Sequence, residues 1–172
     1  MSHVIPKRRV GVRILTASGD QLVGEVFLDF IDVIHRGEQT LLDKFNDDYA
    51  WLPLRTSDGF TEIVNREWVM LVEPAEGLAL ELVRKESGEV FRRESVVVTL
   101  TGGRSIRGRI AMDLPDEFSR VSDFLNFPQD YFPLETDDGP RLVAKRHVLS
   151  LRALESPPTV PGAPEPGVEE HT

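Results

Sequence analysis

Two stretches of the chain open with the same alternation of apolar and polar residues. Val10, Val12 and Ile14 share one face of an extended segment, and so do Val96, Val98 and Leu100. A period of two predicts a strand with one buried face. Each segment runs into a polar turn, TASGDQ or TGGRS, whose glycines supply the positive φ that hairpins use. A second alternating strand follows, through Leu22, Gly24 and Val26 or through Ile106, Gly108 and Ile110. Glycine inside a strand marks a sharp bend or a close backbone approach, as where a small sheet curls into a barrel. After a long excursion come a short aromatic strand (AWLPL or YFPL), an Asp-Gly turn, and a closing strand through residues 63–72 or 142–151.

These parallels amount to a repeat. Residues 41–72 align with 121–152 at a constant offset of 80, without a gap. Asp43 meets Asp123, Asn46 meets Asn126, and Pro53-Leu54 meets Pro133-Leu134. Thr56 meets Thr136, Asp58-Gly59 meets Asp138-Gly139, Arg66 meets Arg146 and Leu71 meets Leu151. Gly24 meets Gly108 at an offset of 84. Self-similarity of this kind predicts two copies of one supersecondary unit. The expected organisation is a first β-barrel repeat over 1–76, a linker over 77–94, a second repeat over 95–154 and a tail over 155–172. In the linker, alternation of Leu78, Leu80 and Leu82 allows a further strand over 78–83 or a short helix, and Ser87-Gly88 reads as a turn. The tail, rich in Pro, Gly and Glu, has too little apolar surface to build a core and is expected to be disordered.

The second copy begins VVVTLTGGRSIRGRI, which resembles the first Sm motif of Sm-like proteins: an alternating strand, a glycine turn, and a strand with a central glycine. VGVRILTASGDQLVGEV follows the motif more loosely, and the Asp43–Asn46 and Asp123–Asn126 pairs resemble its Asp…Asn loop. The resemblance implies an all-β chain of two tandem, strongly bent, five-stranded antiparallel barrels, with RNA contact or self-assembly as the associated properties. The chain departs from the pattern in the distance from Gly108 to Asp123 and in having VNREWVMLV and VAKRHVLSL where the second Sm motif has Arg-Gly.

Composition narrows the function. The 172 residues contain no cysteine, which excludes disulfides, thiolate metal sites and Cys nucleophiles and fits a cytoplasmic setting. No apolar run approaches the roughly 20 residues of a membrane helix. A net charge of −9 disfavours broad binding to nucleic acid or anionic membrane. His3, His35, His147 and His171 occupy non-equivalent places, and no HExxH, GxSxG, P-loop or dinucleotide fingerprint occurs, so neither catalysis nor a cofactor or metal is expected.

Two sets of residues remain. Arg107 and Arg109 alternate with the inward residues of one strand, Arg104 adjoins them, and Lys145, Arg146 and His147 precede the last strand. Arg104, Arg107, Arg109, Lys145 and Arg146 thus form a candidate anion or RNA patch, against the plainer reading of a solvated face neutralised by carboxylates. The first copy has Val23 and Glu25 where the second has Arg107 and Arg109. Asp43, Asn46, Asp123, Asn126, Gly24 and Gly108 are read as structural: the Asp and Asn order turns and cap helices, with Ser122-Asp123 as an N-cap, and the glycines bend strands. Trp51, Tyr131 and Phe132 are read as core or inter-copy packing before stacking platforms for bases. The expected function is a non-enzymatic interaction or scaffold module with a protein partner, a homo-oligomer being compatible with it. Sm-like RNA binding through the second repeat is the alternative.

Overall fold

The computed structural model describes residues 7–30, 37–85, 92–112 and 121–154. The expected tail over 155–172 and the Ser87-Gly88 turn lie outside the described residues. The first repeat contributes β1 (Lys7–Thr16), β2 (Gln21–Asp29), α1 (Leu41–Phe45), β3 (Trp51–Thr56), β4 (Thr61–Asn65) and β5 (Val69–Pro74). After α2 (Leu80–Val83), the second contributes β6 (Arg92–Leu100), β7 (Ser105–Met112), α3 (Val121–Leu125), β8 (Tyr131–Thr136), β9 (Gly139–Ala144) and β10 (Val148–Ala153). Single 3-10 turns, Arg66–Trp68 and Lys145–His147, lead into β5 and β10.

The class is all-β and antiparallel. The expected pair of tandem five-stranded barrels is not shown as such: all ten strands join one sheet, which does not close, in the order β10-β6-β7-β8-β9-β5-β1-β2-β3-β4. Each repeat keeps its own order, with the fifth strand beside the first. The fifth strand of the first repeat then pairs with the fourth strand of the second, Leu71 opposite Val143 and Val72 opposite Leu142. The edge that would close the first repeat on itself is taken by its sister. β4 and β10 are left as the two ends.

The alternations are observed as expected. Val10, Val12 and Ile14 are buried on β1, and Val96, Val98 and Leu100 on β6. β5 departs from alternation: Val69, Met70, Leu71 and Val72 are all buried, because this strand lies between two cores. One core holds Val69 and Val72 with Tyr131, Leu142 and Ala144 of the second repeat. The other holds Met70 and Leu71 with Phe132 and Val143. A strand covered on both faces reads as a continuous apolar run.

The linker contains no strand over 78–83. It turns at Gly77 (φ 79°) and makes the single helical turn α2, placing Leu80 and Val83 at helical spacing with Val83 fully buried. β6 begins at Arg92, inside the expected linker.

The ungapped offset of 80 fails past the Asp-Gly turn. Trp51 lies opposite Asn65 and Tyr131 opposite Ala144; Pro53 lies opposite Ile63 and Pro133 opposite Leu142. From β4 onward the true offset is therefore 79. The physical cause is a shorter turn: TSDGFT in the first repeat is matched by TDDGP in the second. A slip of one residue exchanges the faces of a strand, so the correction matters. Arg66 corresponds to Lys145 instead of Arg146, and Leu71 to Ser150 instead of Leu151.

Candidate functional site

The two glycines sit where two strands cross closely. A Cβ on Gly108 would stand 2.6 Å from the Glu135 carbonyl oxygen and 2.7 Å from the Leu134 side chain. A Cβ on Gly24 would fall on the carbonyl oxygen of Arg55. Next to each glycine is a cross-strand pair of opposite charge, Glu25 opposite Arg55 and Arg109 opposite Glu135. The repeat keeps the pair and reverses its sign.

The Asp-x-x-Asn motif serves the junction between repeats. Thr40 caps α1: its hydroxyl accepts from the Asp43 N–H at 3.1 Å, and the Asp43 carboxylate accepts from the Thr40 N–H at 2.9 Å. This is a capping box, which satisfies two free amides of the helix start. Asn46 ends the turn and reaches the other repeat. Its Oδ1 accepts from the Tyr131 N–H at 2.8 Å, and its Nδ2 donates to the Tyr131 carbonyl at 3.2 Å. The side-chain amide thereby imitates a neighbouring strand for one residue of β8. In the second repeat, Ser122 lies inside α3 and is not its N-cap. Phe124 and Leu125 do pack on the second core, Phe124 edge-on to Phe132 at 6.2 Å.

Tyr131 is the centre of the junction. Its ring is fully buried and meets Phe45 edge-on at 5.2 Å. Its hydroxyl donates to the Arg66 carbonyl at 3.2 Å. Burial pushes the phenol pKa well above its ordinary value, with the positive charges of Arg66 and Arg146 opposing weakly. Arg66 is buried too: its guanidinium holds the loop after α1 through Asp47 and the Lys44 carbonyl. Arg66 was not singled out as a site from sequence, although its matching to another basic residue was a signal. Lys145 repeats its role, donating from Nζ to the Phe127 carbonyl at 2.7 Å. Burial lowers the Lys145 pKa, against the raising effect of Asp130.

The candidate basic patch divides. Arg104, Arg107 and Arg109 are exposed on β7 and its turn, with Arg109 3.7 Å from Asp137. Thr101 N–H donates to the His147 carbonyl at 2.8 Å, so the Arg104 turn lies beside the last 3-10 turn. Lys145 and Arg146 face elsewhere. Lys145 holds its loop, while Arg146 approaches Glu67 of the first repeat at 3.9 Å. His147 Nε2 lies 2.6 Å from the Glu67 carbonyl. Farther along the same junction Glu73 pairs with Arg141 of β9 at 3.7 Å and with Arg13 of β1 at 4.0 Å.

The repeat counterparts of the junction are uncovered at the ends of the sheet. Trp51, counterpart of Tyr131, is 58% exposed, and Ile63, counterpart of Leu142, is 58% exposed. Trp51 was expected in packing and is not. Pro53 faces Ile63 across the strands, so Trp51, Pro53 and Ile63 share one outward face. Tyr49, Phe60 and Trp68 are exposed in the flanking segments. At the opposite end Leu149 is 66% exposed, where its counterpart Met70 is buried.

No family model, curated protein or solved structure matches this chain. Among the described residues, no group of three or more His, Asp or Glu side chains is placed to hold a metal ion, and no helix is long and apolar enough to cross a membrane.

Proposed function

We propose that the chain is a non-enzymatic interaction module whose contact surface is the apolar outer face of β3 and β4. One observation carries this reading: Trp51 and Ile63 are exposed where their repeat counterparts Tyr131 and Leu142 are fully buried against protein. Scattered exposed apolar residues are ordinary, whereas a group on one face marks a contact site. Five antiparallel strands per repeat, with a glycine at the close crossing of the second strand, support the Sm-like reading of each unit. The test is affinity capture from lysate with the parent and with Trp51→Ser. A defined set of proteins lost by the variant is expected; an identical set with both would refute the assignment of the surface.

RNA binding through the second repeat is the second reading, supported by exposed Arg104 and Arg107. Against it, Lys145 and Arg146 face the loop after α3 and Glu67. Phosphate-driven affinity for single-stranded RNA falls steeply with added salt. Absence of binding at low salt would remove this reading.

A further inference from the structure

We propose that the outward face of β10, β6 and β7 is a docking face for an extended acidic peptide whose alternate residues are carboxylates. It is a second contact surface, independent of the apolar face of β3 and β4.

Directly opposite residues of neighbouring strands point to the same side of a sheet. Val96 and Val98 of β6 are buried, so Ser95 and Val97 turn outward. Val97 lies opposite Arg152 on β10 and opposite Arg107 on β7, which makes one row across three strands, Arg152–Val97–Arg107. The next row brings Ser95 and Arg109 together, with Leu154 beside Ser95 and Glu135 opposite Arg109. Arg107, Arg109 and Arg152 are exposed. An open groove of about 310 Å³ runs along Arg107 and Arg109, lined also by Ser95, Gly108, Asp137 and Leu154.

The carboxylates within reach do not neutralise this face. Glu135 stands opposite Arg109, but its Oε1 accepts from Arg84 and its Oε2 is 3.4 Å from Arg93. Asp137 is 3.7 Å from Arg109 and its side chain is 97% exposed, so water screens that pair. The first repeat supplies the contrast. Its equivalent row is Glu73–Arg13–Val23, in which Glu73 and Arg13 approach to 4.0 Å. The groove beside that row adds Glu76 and Asp138. The same sheet position is therefore self-neutralised in one repeat and left cationic in the other, on a chain whose net charge is −9.

The spacing of the charges selects the ligand. Arg107 and Arg109 are alternate residues of one strand, about 7 Å apart along it, and alternate side chains of an extended peptide have the same spacing. Carboxylates at i and i+2 of such a peptide meet both arginines, while Arg152 lies about 10 Å to the side, two strands away. β6, β7 and β10 contain no aromatic residue, so these strands offer no stacking platform for the bases of single-stranded nucleic acid.

Fluorescence anisotropy of the full chain with a labelled alternating Glu-Ser peptide at low salt tests the proposal. Saturable binding is expected. A peptide of the same composition with its glutamates consecutive should bind more weakly, since successive side chains point to opposite sides. Arg107→Glu and Arg152→Glu, both at exposed positions, should each weaken binding about tenfold with far-UV circular dichroism unchanged. Arg9→Glu makes the same change of net charge at an exposed position of the first repeat and should leave the affinity within about twofold. Absence of binding, equal affinity for the two peptides, or equal losses in all three variants overturns the proposal. So does tighter binding of a single-stranded RNA of equal charge that Arg107→Glu and Arg152→Glu abolish, which would assign the face to nucleic acid. Binding that emerges only after removal of residues 155–172 would assign the face to the chain's own acidic tail and likewise overturn it.

Discussion

Asn46 and Asn126 occupy the same place in two copies of one motif, and the structure assigns them different work. Asn46 makes two hydrogen bonds to the backbone of Tyr131, 85 residues away, while the Asn126 side chain is exposed just after α3. Substitution by alanine therefore separates the motif's local role from its junction role. Each hydrogen bond contributes a net ~1 kcal/mol, so Asn46→Ala should cost about 2 kcal/mol, and somewhat more if the Tyr131 amide stays dry. Asn126→Ala should lie within about 0.5 kcal/mol of the parent, as for an exposed side chain without special contacts. Urea unfolding followed by far-UV circular dichroism at high dilution is the assay. With a slope of roughly 2 kcal/mol per molar, Asn46→Ala should lower the midpoint by about 1 M and leave the slope unchanged. Equal losses for the two variants would refute the junction role and return the motif to purely local turn chemistry. A loss below about 0.5 kcal/mol for Asn46→Ala would show that the clamp contributes nothing.

Two further outcomes follow from the same geometry. Gly108→Ala should destabilise by about 1–3 kcal/mol because the Glu135 backbone must move, whereas Gly37→Ala, with nothing within 4 Å, should not; equal midpoints in thermal unfolding would refute the close crossing. Tyr131→Phe should lose ~1 kcal/mol near neutral pH with the Arg66 hydrogen bond. It should also change the alkaline response. The folded-state pKa of Tyr131 is raised, so its contribution is complete below the unfolded value of about 10 and is lost as pH rises from there towards the folded value. Chemical unfolding on either side of that pH should show a smaller alkaline loss in the variant, and identical losses would overturn the burial argument.

The strands were legible in the sequence because their signal is local. Alternation at Val10-Val12-Ile14 and Val96-Val98-Leu100 needs only a sheet with one dry face, whatever its neighbours. The strand glycines were legible for the same reason, since a missing side chain is visible without knowing which backbone takes its place. The repeat itself was legible as matched identities. Its one-residue deletion was not, because Asp-Gly matches in both turns and the coincidences Arg66/Arg146 and Leu71/Leu151 reward the ungapped alignment. Only the pairing of Pro53 with Ile63 and of Pro133 with Leu142 shows where the residue is missing.

Tertiary structure alone decided what each repeat meets. The sequence of β5 suits a strand closing its own unit or a strand joining another, and the continuous apolar run from Val69 to Val72 is explained only by the second core beyond it. The Lys145–Arg146 pair read as part of one basic surface with Arg107 and Arg109, yet the turn before β10 directs it to the Phe127 carbonyl and Glu67. Trp51 and Tyr131 have nearly the same local surroundings and opposite fates, one exposed and one buried. Local sequence sets the conformation of a repeat. Its position in the stack sets which of its faces is covered, and that depends on contacts between residues roughly 80 positions apart, which no periodicity within one repeat can encode.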